Sequence, residues 1–121
     1  DPHIQHMSAI SLNEKDVVVA ISQSGQTRAL LESVSLAMDA GATVIGLAPE
    51  GTALTEKCSV PIYVNMKEEH QAFAPVSSRI AHLVVIDVIA TGVALHRKPL
   101  LNDHLKKLSK SQKALRTNKS D

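Results

Sequence analysis

Val17-Val18-Val19-Ala20-Ile21 is an apolar, mostly β-branched run that stops at Ser22-Gln23-Ser24-Gly25-Gln26-Thr27, and a helical pattern starts straight after it. This strand–turn–helix junction constrains the fold more than any other part of the chain. A run without polar alternation reads as a strand buried on both faces, as in a parallel sheet covered by helices. The hydroxyls of Ser22, Ser24 and Thr27 fall within six residues at the helix start. First-turn N–H groups have no intrahelical partners and the helix dipole favours negative charge there. The turn therefore suits an anion with several oxygens, a phosphate above all. Gly25 permits a tight turn and close approach of backbone to ligand. The competing reading is that Ser24 or Thr27 only caps the helix, for which one hydroxyl is enough.

Other phosphate loops are excluded by what the turn lacks. No Gly-Lys-Ser/Thr follows it, and the Gly-x-Gly-x-x-Gly dinucleotide fingerprint is absent. Neutral hydroxyls in place of a lysine point to a phosphomonoester held by hydrogen bonds, not a nucleotide carrying magnesium.

The rest of the chain repeats the alternation. Pro2–Leu12 reads as a short amphipathic helix with Ile4, Met7 and Ile10 at helical spacing, and 27–40 as a helix with Leu30, Val34, Ala37 and Met38 on its inner face. Gly41 stops that helix. Thr43–Ala48 reads as a second buried strand and 60–64 as a third short strand, separated by the Pro49-Glu50-Gly51 break and one helical turn at 54–58. A polar loop, 65–74, precedes a long helix from Pro75 to about Arg97. Lys98-Pro99 breaks the chain before a last helix with a stripe of Leu101, Leu105, Leu108 and Leu115. Alternating strands and helices predict an α/β fold with a parallel sheet and right-handed crossovers, and ligands then sit at the carboxyl ends of the strands. Ser22 lies at such an end.

Composition narrows the function classes. At 121 residues the chain is one domain or part of one, and with aromatics at 2% its core must be aliphatic. A net charge of +1 leaves no nucleic-acid footprint, and Tyr63 and Phe73, the only aromatics, are too few to form a base-stacking platform. The single Cys58 excludes an internal disulfide and fits a reducing cytoplasm. No signal peptide is expected from the residues at its start. The most apolar run, Ile80–Leu95, holds His82 and Asp87 and is short for a bilayer span, so no membrane role is expected. The six histidines show no compact metal spacing, and neither a metal nor a cofactor is expected.

Ser22-Gln23-Ser24-Gly25-Gln26-Thr27 resembles the signature of the sugar isomerase (SIS) domain family. Residues 17–48, together with Ser77-Ser78-Arg79-Ile80-Ala81-His82-Leu83 and Ile86-Asp87, resemble the RpiR branch of bacterial transcription regulators, and the likeness runs from about Pro2 to about Leu108. The resemblance implies a three-layer, flavodoxin-like α/β/α domain with a five-stranded parallel sheet, of which this chain holds the third to fifth strands and lacks the first two. It implies that residues 1–121 are the C-terminal part of an effector-binding domain, with a DNA-binding domain upstream of the chain. The effector's phosphate would lie on Ser22, Gln23, Ser24, Gly25, Gln26 and Thr27 with the 25–27 amides. The long helix would pack in a homodimer or higher oligomer, whose second subunit completes the site. The likeness to regulators of hexose catabolism implies 2-keto-3-deoxy-6-phosphogluconate as the phosphorylated sugar acid.

Other residues remain open. Glu69 and His70, beside Glu68 in the loop before the long helix, offer an acid–base pair of the kind an SIS isomerase needs for proton transfer, or they form a solvated charged loop. Arg79, next to Ser78, offers a contact to an effector carboxylate or phosphate, or a pair across a subunit interface. Asp87 sits amid Val84, Val85, Ile86, Val88 and Ile89, where a buried carboxylate would need a partner. Lys106, Lys107, Lys110 and Lys113 keep the last helix soluble. The function expected is sugar-phosphate sensing in a transcription regulator, not catalysis. The alternatives are an aldose–ketose isomerase and a dimerisation module that binds nothing.

Overall fold

A computed structural model describes residues 1–66 and 74–117 of the chain, so Glu68, Glu69 and His70 lie outside the described residues. The chain divides into two compact units, Asp1–Leu83 and Val84–Asp121. The first holds α1 (Pro2–Ile10), β1 (Val17–Ile21), α2 (Arg28–Asp39), β2 (Thr43–Ala48), α3 (Ala53–Lys57), β3 (Val60–Tyr63) and the start of α4 (Ala74–His96). The second holds the rest of α4 and α5 (Lys98–Thr117).

The strands form one parallel sheet in the order β1-β2-β3. The β1–β2 register pairs Val17 with Thr43 and Ile21 with Leu47, and the ladder continues one step further, Ser22 N–H donating to the Leu47 carbonyl at 3.0 Å. On one sheet face Val18 and Ala20 of β1 and Val44 and Ala48 of β2 pack with Val34 and Ala37 of α2, Leu54 of α3 and Ala9 of α1. Val34, Val44, Leu47 and Leu54 are the largest fully buried side chains, each stabilising the fold by about 1.5–3 kcal/mol. Gly46 sits where α3 meets the sheet: a Cβ there would lie 2.7 Å from Cys58 Sγ.

The parallel sheet and the inner face of α2 agree with the sequence pattern. Three expectations do not. β1 is not buried on both faces: Val18 and Ala20 turn inward, whereas Val17, Val19 and Ile21 are 61%, 44% and 39% exposed. The described sheet ends at β1, and among the described residues no strand pairs with it on its outer side. The Ile4/Met7/Ile10 stripe of α1 also points outward, because α1 meets α2 through its small-residue side, where Ala9 is buried. Asp87 is exposed, not buried, and needs no buried partner.

The long helix has two characters. At 3.6 residues per turn, Val76, Ile80, Leu83, Val84, Val88 and Leu95 share one exposed side, and Ser78 and His82 lie buried on the other. The helix is longer than the apolar run read from the sequence. By length and composition alone, Val76–His96 is sufficient to cross a membrane.

Candidate functional site

The turn after β1 is built from its own hydroxyls. Ser22 is 6% exposed, and its Oγ accepts a hydrogen bond from the Gly25 N–H at 2.9 Å. Ser24 Oγ accepts from the Gln26 N–H at 3.2 Å. These bonds bend the chain so that Ser22 Oγ and Thr27 Oγ1 come within 3.4 Å of each other. Thr27 occupies the N-cap position of α2 with extended backbone, yet its side chain makes no capping hydrogen bond. The first α2 amide with an intrahelical partner is that of Leu31, which donates to the Thr27 carbonyl at 3.0 Å. The donors before it have no side-chain cap, and the helix dipole adds partial positive charge there.

Capping alone therefore does not account for Thr27. The geometry also shifts the candidate donors. The Gly25 and Gln26 amides, read from the sequence as anion donors, already donate to Ser22 and Ser24. The open donors are the amides at the start of α2, beside the Ser22 and Thr27 hydroxyls.

The close approach that Gly25 permits is to protein. Its φ is +65°, and a Cβ there would lie 2.1 Å from Thr52 Oγ1. Thr52 follows β2 and is itself anchored: its Oγ1 donates to the Pro49 carbonyl at 2.8 Å, and its N–H donates to Thr55 Oγ1 at 3.1 Å. Leu54 N–H donates to the Gly25 carbonyl at 3.0 Å. The β2–α3 loop thus clamps the turn at the carboxyl ends of two adjacent parallel strands. Thr52 went unnoticed in the sequence, although the rule that sites form at those strand ends pointed to the loop after Ala48.

The turn opens onto a cleft of about 640 Å³. Ser22, Gln23, Ser24 and Thr27 line one side, and Pro2 and Gln5 of α1 another. Among the described residues, none that lines it is charged. Arg28, just after the turn, is engaged with Glu32, Nε to Oε1 at 3.0 Å, and its side chain is 93% exposed. An anion here would be held by dipoles and hydroxyls. Gln26 is exposed but outside the lining; buried Ser78 and exposed Arg79 are also outside it, and the structure does not bring them to this cleft.

His82 is buried on α4. Burial lowers its pKa from the ordinary 6.5, because a buried imidazole resists charging. The unfolded chain then binds more protons just below pH 6.5, so stability is present above that value and is lost as pH falls through the folded-state pKa. Denaturant titrations at descending pH are expected to show this loss, and His82→Gln is expected to flatten it. An unchanged slope in the variant would assign the acid sensitivity to other groups.

Residues 1–92 match the SIS domain family. The HTH-type transcriptional regulator HexR of Escherichia coli K12 is 38% identical over 116 residues, 96% of this chain and 40% of HexR. HexR of Pseudomonas aeruginosa is 36% identical over 111 residues, 92% of this chain and 39% of HexR. The bifunctional protein glk of Burkholderia thailandensis is 39% identical over 97 residues, 80% of this chain but 15% of glk. The chain therefore spans about two fifths of the HexR relatives. Among solved structures, the Vibrio vulnificus NanR protein complexed with ManNAc-6P shares the fold, with a TM-score of 0.72 at 23% identity, covering 95% of this chain and 44% of NanR.

Proposed function

The chain belongs to the SIS domain family, and on that premise we propose that it is the sugar-phosphate-sensing part of a HexR-type transcription regulator of sugar catabolism. The observation that carries this reading is the uncapped start of α2 beside the converging Ser22 and Thr27 hydroxyls. A phosphomonoester accepts from those hydroxyls and from the first-turn amides, with Ser24 and Gln23 at the rim. No lysine or metal is needed, because the helix dipole and oriented donors supply the stabilisation.

The regulators' names and the sugar phosphate bound to NanR support an effector of this class; 2-keto-3-deoxy-6-phosphogluconate is the first compound to try. DNA contact is assigned to the part of the regulator beyond the matched residues. A cytoplasmic location follows from that role. Catalysis is not proposed: the relatives' printed roles are regulatory for HexR and mixed for glk, and the cleft offers no acid–base pair among the described residues.

Thr27→Val tests the assignment most cleanly. Ser22→Ala would also remove the acceptor that shapes the turn, whereas Thr27 Oγ1 has only the 3.4 Å approach to Ser22 to lose. Thr27→Val is expected to weaken phosphate-ester binding by about 1.5–3 kcal/mol, the range for a hydrogen bond to a charged group, with folding intact. Isothermal titration with 2-keto-3-deoxy-6-phosphogluconate and ManNAc-6P reads this directly. Equal affinities for variant and parent would place the phosphate elsewhere.

A further inference from the structure

We infer that Gln5 of α1 reads the sugar end of the ligand whose phosphate sits on the turn, so that α1 sets the specificity of the site. This rests on the phosphate assignment above and extends it to the part of the cleft farther from the hydroxyls. The cleft, at about 640 Å³, is much larger than a phosphate group needs. Its remaining wall is largely apolar: Pro2, Ile21, Ala29 and Leu30 offer no side-chain hydrogen bond. Among the described lining residues outside the turn, Gln5 is the one side chain with donors and an acceptor. A carboxamide presents both, which matches the mixed donor and acceptor character of sugar hydroxyls and carbonyls.

The backbone that carries Gln5 is tied down at the start of α1. Asp1 Oδ1 accepts from the His3 N–H at 2.9 Å and caps α1, Pro2 occupies the first helical position, and the Gln5 N–H closes the first turn on the Asp1 carbonyl at 3.1 Å. Behind that turn α1 is seated on α2. Gln5 itself is exposed, and its side chain makes no hydrogen bond to protein among the described residues, so its amide is available to a ligand. The seated helix fixes where the Gln5 side chain starts, and the ligand then orders the carboxamide.

The test compares ligands with and without a sugar. Inorganic phosphate, 6-phosphogluconate and 2-keto-3-deoxy-6-phosphogluconate are titrated into the parent chain, Gln5→Leu and Gln5→Glu, with amide NMR shifts at the start of α2 as readout. The parent is expected to bind at least one sugar phosphate more tightly than inorganic phosphate. Gln5→Leu is expected to lose about five- to tenfold for that ester and less than about twofold for inorganic phosphate, the scale of one hydrogen bond. Gln5→Glu is expected to weaken both by charge repulsion, and unchanged melting temperatures without ligand exclude a folding effect. Equal losses for the two ligand types in Gln5→Leu, no loss at all, or no advantage of any ester over phosphate in the parent overturns the assignment of Gln5 alone. Absence of any binding by the parent overturns the phosphate site itself and this inference with it.

Discussion

Gly25→Ala is expected to abolish phosphate-ester binding and to destabilise the domain by about 2–5 kcal/mol, the sum of a left-handed backbone penalty and an overpacked contact. Both terms are visible at one residue. The φ of +65° disfavours any side chain, and the new Cβ would lie 2.1 Å from Oγ1 and 2.3 Å from Cβ of Thr52. Neither partner has room to yield, because Thr52 is tied to Pro49 and Thr55, and the Gly25 carbonyl to Leu54. Relief therefore means opening the turn, which separates Ser22 from Thr27. Gly51→Ala is the matched control: its φ of +72° carries the backbone penalty of about 1–2 kcal/mol, but no atom lies within 4 Å of the added Cβ. Chemical denaturation of both variants separates the terms. A Gly25→Ala protein no less stable than Gly51→Ala would show that the two loops are not clamped. Gly25→Ala combined with Thr52→Gly is expected to recover part of the loss.

The isolated chain is expected to self-associate at micromolar concentration. Two apolar surfaces drive this. The β1 edge exposes Val17, Val19 and Ile21 along with an unpaired row of backbone N–H and C=O groups, and such edges recruit other chains. The exposed side of α4 carries Val76, Ile80, Val84, Val88 and Leu95, each more than half exposed. Burying a residue of that kind contributes about 1.5–3 kcal/mol, while association costs about 4–15 kcal/mol. Five such residues from each copy are enough to decide the balance in favour of assembly. Sedimentation velocity is the measurement. Val88→Glu is expected to reduce the assembled fraction more than Val19→Lys, since α4 offers the longer continuous surface. A sharp, compact monomer of the parent chain would show that both surfaces are covered within one molecule. An effect confined to Val19→Lys would move the contact to the sheet edge.

Much of the domain was legible in the residues because the signals are local. The run from Val17 to Ile21 and the run from Thr43 to Ala48 announce strands, the 3.6-residue pattern of Leu30, Val34 and Ala37 announces the face of α2, and hydroxyls at Ser22, Ser24 and Thr27 announce the turn. Each depends on neighbours within one turn or one strand. Periodicity reports that a stripe is apolar, but not what covers it. That is why Ile4, Met7 and Ile10 read as an inner face and lie outside, and why Asp87 read as buried and is exposed.

The alternation of strands and helices, the parallel sheet and the hydroxyl-rich turn after β1 are all encoded locally, since β-branching, helical spacing and turn chemistry act over a few residues. Long-range packing is what brings Thr52 against Gly25 and Gln5 to the cleft. Those facts depend on segments some 15–30 residues apart being brought together by core packing, and no local pattern encodes the outcome.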